Sequence, residues 1–225
     1  MKILIFGATG MVGQGTLREC LAATDVSQVT TVGRTPVVQV HPKLQQLERA
    51  DLMTLDAFGD ELQGFDACFF CLGVSSSGMS EDAYRHITYE VTLKVADLLA
   101  RLNPDMTFVY VSGAGTDGSE QGRSMWARIK GKTENDLQKL PFRSVYLLRP
   151  GIIQPLHGIR SKTPAYRRFY NLANPLLSLI RRVFPGAIVT TEDIGQAMLN
   201  AARQSKDRVV VEAKDMIPLA RGLDV

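Results

Sequence analysis

The chain has 225 residues, enough for one large domain at about 100–200 residues per domain. Hydrophobic residues make up 45% and charged residues 22%, near globular averages, which excludes a disordered chain and a fibre. A net charge of +3 from 26 basic and 23 acidic residues, with no basic block, argues against nucleic acid as the main partner, and three cysteines suit a reducing compartment better than a disulfide scaffold.

In chain order, residues 3–6 form a compact apolar run of the kind a buried strand needs, and Gly7 stops it. An export signal needs about 7–15 apolar residues, so none is read here. Residues 11–23 read as a helix. Further apolar runs follow at 29–32, 67–72, 108–111, 145–148 and 209–211, with a weaker candidate at 44–47. Runs without alternation suit strands covered on both faces. Helical patterns lie at 80–102, 120–139, 164–184 and 191–204. The longest later apolar stretch, from Pro175 to Ile180, ends at Arg181 and Arg182, far short of the ~20 residues of a membrane span. The chain is therefore expected to be cytoplasmic, with no membrane partner. Strand and helix in alternation predict an α/β Rossmann architecture. The expected sheet is seven-stranded, doubly wound and mostly parallel, with helices on both faces and a small C-terminal cap. Residues 1–225 read as one domain, with 1–150 as a core and 151–225 as an elaboration on the substrate side.

The strongest motif is Gly7, Gly10 and Gly13, spaced G-x-x-G-x-x-G directly after the first strand and opening the first helix. The first glycine permits the turn off the strand. The second lets backbone approach a pyrophosphate, and the third lets helix and strand pack closely. The helix N-terminus then offers free N–H groups and partial positive charge. Without a ligand, the same pattern is a tight strand–helix turn. The expected phosphate loop comprises Gly7, Thr9, Gly10, Met11, Val12 and Gly13.

A carboxylate that would take the ribose 2′-hydroxyl of NAD is expected at the end of the second strand. The residues there are Val32, Gly33 and Arg34. The planar fork of Arg34 suits a 2′-phosphate, which favours NADP over NAD. The plain alternative is an arginine on a solvated loop.

Together these residues resemble a short-chain dehydrogenase/reductase of the extended or atypical kind, the group that includes NAD(P)-dependent epimerase/dehydratase-like proteins. Within it the arrangement is similar to the Tat-interacting oxidoreductase-like proteins. Beyond the glycine loop, four segments carry the resemblance: Asp51-Leu52, Phe70-Cys71-Leu72-Gly73, Tyr110-Val111-Ser112 and Arg149-Pro150-Gly151. The resemblance implies that Asp51 and Leu52 contact adenine. It places Cys71, Leu72 and Gly73 under the adenosine ribose, and Pro150, Gly151 and Ile152 beside the nicotinamide. It makes Ser112 and Lys130 the catalytic pair, with Lys130 also on the nicotinamide ribose. The helices at 80–102 and 120–139 can form a homodimer face, as in relatives, while a domain of this size also stands alone.

One departure is central. The group's Tyr-x-x-x-Lys reads here as Trp126-Ala127-Arg128-Ile129-Lys130. Positions four apart share a helix face, so the spacing is kept. An indole N–H donates a hydrogen bond but does not exchange its proton as an acid catalyst must. Ser124 lies on another face, and Tyr84, Tyr89, Tyr166 and Tyr170 are the candidate replacements. Two functions follow. The first is an NADP(H)-dependent oxidoreductase for a small carbonyl or sugar-like substrate. The second is a weak or inactive NADP(H)-binding regulator or redox sensor.

Other groups are set aside. Cys68 and Cys71 lie three apart on a strand, on opposite faces, and read as structural thiols. His41, His86 and His157 have no ligand spacing, so no metal is expected. Ser75, Ser76 and Ser77 follow a strand end and are either cleft contacts or an ordinary loop. Arg160, Lys162, Arg167 and Arg168 read as a solvated helix face in preference to an anion pocket.

Overall fold

The computed structural model describes residues 1–159 and 188–225. Among them the elements begin with β1 (Lys2–Phe6), α1 (Met11–Ala22), β2 (Gln28–Gly33), β3 (Leu44–Glu48), a 3-10 helix (Leu52–Leu62) and β4 (Ala67–Phe70). Next come α2 (Glu81–Arg85), a π-helical turn (His86–Glu90), α3 (Val91–Leu102), β5 (Thr107–Val111), α4 (Met125–Leu137) and β6 (Ser144–Arg149). The last are β7 (Ile152–Gln154), β8 (Ile188–Thr190), α5 (Thr191–Gln204), β9 (Arg208–Glu212) and α6 (Ala213–Ala220).

Seven strands form one sheet in the order β3-β2-β1-β4-β5-β6-β9, and all its pairings are parallel. The order reverses between β1 and β4, which opens a crevice at their carboxyl ends. Side chains alternate between two cores. Ile3 and Ile5 face a core completed by Leu17 of α1, Ile194 and Met198 of α5, and Met216 of α6. Leu4 and Phe6 face a second core with Leu55 and Leu62 of the 3-10 helix, Val95 and Leu99 of α3, and Leu137 of α4. A row of rings crosses that second core: Phe6 to Phe70 at 5.4 Å, Phe70 to Phe108 at 5.9 Å and Phe108 to Phe142 at 4.9 Å.

The seven expected strands are present, and the doubly wound fold with them. Four details differ from expectation. The run 67–72 stops as a strand at Phe70, because β1 turns away at Gly7 and leaves Leu72 no partner there. The helix expected from 120 begins at Met125, because Asp117 accepts from the N–H groups of Ser119 at 3.0 Å and Gly122 at 2.6 Å and folds that stretch into a turn. The helix over 80–102 contains the π turn. The short parallel pair β7 and β8 and the helices Leu52–Leu62 and Ala213–Ala220 were not expected. The helix expected over 164–184 lies outside the described residues.

α5 begins with a full capping box. Thr190 accepts from Asp193 N–H at 2.9 Å, and Asp193 accepts from Thr190 N–H at 2.9 Å. Replacing Thr190 with Ala removes half of that exchange and is expected to cost about 1 kcal/mol. Thermal unfolding should register it as a drop of about 2–4 °C in Tm.

Candidate functional site

The turn after β1 is built by glycines that close contacts require. Gly7 has φ +77, and a Cβ there would lie 2.7 Å from the Cys71 carbonyl carbon and the Leu72 nitrogen. A Cβ on Gly13 would lie 2.2 Å from the Gly7 carbonyl oxygen. Gly10 differs: its Cβ would meet only that oxygen, at 3.3 Å, so its open side faces away from the protein's own atoms. Gly10 caps α1 without a side-chain hydrogen bond, and the first turn holds no acidic residue. The first intrahelical bond runs from Gln14 N–H to Gly10 C=O at 2.9 Å. Helix geometry therefore leaves the N–H groups of Met11, Val12 and Gly13 without intrahelical acceptors, at the positive end of the dipole. This cradle fits an anion such as a pyrophosphate.

A cleft of ≈ 340 Å³ opens beside the cradle. Gly7, Ala8 and Thr9 form one wall, and residues 31–37, Arg34 among them, form another. Glu48, Ala50, Asp51 and Leu52 come from the end of β3, and Leu72 and Val74 from the end of β4. His86, Ile87 and Val91 close it from the π turn and α3. The structure thus brings Gly7, Thr9, Arg34, Asp51, Leu52 and Leu72 to one cavity. Asp51 caps the 3-10 helix, accepting from Met53 N–H at 2.8 Å. Arg34 is exposed at the rim. Cys71 is turned inward: its sulfur lies 3.7 Å from Thr16 Oγ1 and 3.9 Å from Met198 Sδ, and burial pushes the thiol up to about 12. Only its backbone faces the turn, 2.7–2.8 Å from the position a Gly7 Cβ would take. Gly73 is exposed beyond the cleft wall.

The other expected residues gather at the ends of β5 and β6. Ser112 is buried, and its hydroxyl donates to Glu134 Oε1 at 2.5 Å, with the Leu148 carbonyl at 3.2 Å. Glu134, on α4, is itself buried. Arg149 Nε lies 3.1 Å from both its carboxylate oxygens, and Arg149 Nη1 reaches Glu212 on β9 at 3.0 Å. The Glu134 and Glu212 carboxylates hold the guanidinium pKa above its ordinary value. Lys130 Nζ donates to the Val111 carbonyl at 3.3 Å and sits 5.4 Å from the Tyr110 ring centre, with no ion pair among the described residues. Burial pushes its ammonium down to about 8, against an upward pull from Glu134. Trp126 is half-buried over the loop after β5, where a Cβ on Gly115 would meet its indole at 3.5 Å. Ala114 N–H donates to the Pro150 carbonyl at 2.8 Å, Pro150 is buried, and Gly151 and Ile152 are exposed.

A profile of the NAD dependent epimerase/dehydratase family matches residues 3–146. The chain belongs to that family. It is similar to rat Protein HTATIP2, 29% identical over 155 residues that cover 68% of this chain and 62% of the rat protein. It is also similar to the mitochondrial protein fmp52-2 of Aspergillus terreus, 26% identical over 227 residues and 96% of each chain. Among solved structures it resembles MoeE5 in complex with UDP-glucose and NAD, with a TM-score of 0.70 and 17% identity over 94% of this chain and 75% of that one. A Burkholderia thailandensis oxidoreductase of the short chain dehydrogenase/reductase family gives a TM-score of 0.67 and 17% identity, over 96% and 92%. These structural matches establish a shared Rossmann fold.

The expectation of a cytoplasmic protein is corrected by the fungal relatives. Those from Aspergillus terreus, Scheffersomyces stipitis and Candida albicans align over nearly the whole chain and are named as mitochondrial proteins. Cysteine content reports a reducing environment, and a reducing environment does not specify an organelle.

Within this epimerase/dehydratase-family chain the candidate tyrosines also find their places. Tyr84 is buried, and Tyr89 donates its hydroxyl to Asp136 at 2.8 Å. Tyr166 and Tyr170 lie outside the described residues. Glu134, Glu48, His86 and Ile87 were missed in the sequence. The one signal present was Lys130-x-x-x-Glu134, which puts the two on the same helix face. Among the described residues no group of three His, Cys, Asp or Glu side chains could hold a metal ion, and no helix is long and apolar enough to cross a membrane.

Lys130 gives the site a pH signature. Its pKa is about 8 folded against 10.5 as a free side chain. Between those values the unfolded chain holds the extra proton, so stability rises with pH through that window. From about pH 8 to pH 10 the gain attributable to Lys130 is about 2 kcal/mol. Urea unfolding of Lys130→Met is expected to lack that gain relative to the parent.

Proposed function

We propose that the chain is an NADP(H)-binding oxidoreductase acting on a small carbonyl or sugar-like substrate. The observation that carries this reading is Arg34. It lines the same cleft as the Gly7–Thr9 turn, it is exposed, and its guanidinium has no partner among the described residues. A planar cation left free beside an anion cradle suits a ligand with a second phosphate.

A bound nicotinamide dinucleotide supplies hydride transfer. The chain's own residues supply position and proton. The N–H groups of Met11, Val12 and Gly13 and the turn at Thr9 and Gly10 take the pyrophosphate, and Arg34 takes the 2′-phosphate. Asp51 and Leu52 meet adenine, and the backbone of Cys71, Leu72 and Gly73 borders the adenosine ribose. Lys130 takes the nicotinamide ribose, and Pro150, Gly151 and Ile152 border the nicotinamide. The chain has Trp126 where the family's phenol acid would stand, and an indole holds no exchangeable catalytic proton. Lys130, poised near pH 8, is then the group in that cluster able to give or take one close to neutrality.

A second reading, a dinucleotide-dependent binding protein without turnover, is favoured by two observations: Trp126 itself, and the Ser112 proton already committed to Glu134. Steady-state oxidation of NADPH against aldehydes, ketones and quinones separates the two. Tight NADPH binding with no turnover across the panel selects the binding protein.

Two variants sharpen the test. Trp126→Tyr restores a phenol and is expected to raise the rate by about 10²–10⁴-fold if the scaffold lacks only its acid. Arg34→Glu is expected to weaken NADPH binding about 10- to 100-fold by calorimetry, and an unchanged affinity would remove Arg34 from the site.

A further inference from the structure

Among the described residues, Arg34 is joined in the cleft by a second charge that has no ion pair. Glu48 ends β3 in register with Gly33 at the end of β2, and Arg49 N–H closes on the Gly33 carbonyl at 2.9 Å. The loop that follows Gly33 is tied back to β3. Gln46 Oε1 accepts from Val37 N–H at 2.7 Å, and Gln46 Nε2 donates to the Val37 carbonyl at 3.2 Å. These two hydrogen bonds to one residue hold residues 33–37 as a wall of the cleft, with Arg34 on it and Glu48 at its foot.

Both side chains are exposed, and neither has a hydrogen bond or ion pair among the described residues. The other carboxylate lining the cleft, Asp51, is engaged by the Met53 N–H. So one cavity presents a guanidinium and a carboxylate that do not neutralise each other. Their preferences are opposite. A guanidinium attracts a phosphate dianion. A carboxylate accepts hydrogen bonds from ribose hydroxyls and repels that dianion.

We infer that Glu48 is a second determinant of nucleotide choice. It takes the free 2′-hydroxyl of NAD(H) from the end of β3, opposes the 2′-phosphate of NADP(H), and so offsets Arg34. The cleft then accepts both nucleotides, with the ratio set by this pair. The inference rests on the dinucleotide reading of the cleft proposed above.

The test is a titration of the full chain, Glu48→Gln and Glu48→Lys with NADPH and NADH, followed by calorimetry, with circular dichroism to verify the fold. The ratio of the NADH to the NADPH Kd is expected to rise about 5- to 20-fold in Glu48→Gln, and further in Glu48→Lys. The rise should combine tighter NADPH with weaker NADH. Glu48 is exposed and has no ion pair among the described residues, so both variants should fold, and either one alone decides. A ratio within about twofold of the parent's in a folded variant overturns the role of Glu48 while leaving the dinucleotide site standing. A parent chain that binds neither nucleotide overturns the dinucleotide reading itself, and this inference with it.

Discussion

Two missing Cβ atoms hold the junction of β1, α1 and β4 together. At Gly7 the chain leaves β1 with φ +77 and passes within contact of the backbone that ends β4. At Gly13 the first turn of α1 rests directly on the Gly7 carbonyl. A side chain at Gly13 would push α1 off the β1 turn, and one at Gly7 would push that turn off the end of β4, because the clashing atoms are backbone and cannot rotate away. With both absent, three backbone donors of α1 stand over the one place where the strand order reverses. The cleft with Arg34, Glu48 and Asp51 is the space left beside that junction.

The two ends of the site are built on different electrostatic terms. At the β2–β3 end Arg34 and Glu48 are exposed, with no ion pair among the described residues. At the β5–β6 end they are satisfied internally. Glu134 is buried, and a lone buried carboxylate would be costly; the Arg149 fork and the Ser112 hydroxyl offset that cost. Through Arg149 and Glu212 the network joins α4, β5, β6 and β9. It commits the Ser112 proton while leaving the hydroxyl's lone pairs. Beside it Lys130 has no ion pair among the described residues, and burial lowers its ammonium to about 8.

Much of this was legible residue by residue. The apolar runs gave away the inner strands because a strand buried on both faces has to be apolar throughout, and Phe69, Phe70, Val109 and Leu147 are fully buried, whereas the edge strand β3, half polar and partly exposed, was only weakly marked. The glycine spacing marked the cradle because it sits within a single strand–turn–helix unit of local sequence. Arg34 stood out because it follows a strand end at the expected distance. Glu48 did not stand out. Its partner in the cleft is 14 positions away, and only the parallel register of β2 and β3 puts the two together. The same holds for His86 and Ile87, which the π turn rotates toward the cleft, and for α6, whose Pro218 masks a helical pattern.

The sequence by itself determined what depends on near neighbours: which segments form the strands of the large sheet, where the chain must turn on glycine, which helix face carries Trp126 and Lys130, and that a phenol is missing there. Tertiary structure alone decided which charges remain free and which are spent. Ser112 and Glu134 are 22 residues apart, and Arg149 and Glu212 are 63 apart. Whether a hydroxyl or a guanidinium meets a ligand or another side chain is a matter of distances in space and of burial, and neither is written in the order of residues along a chain.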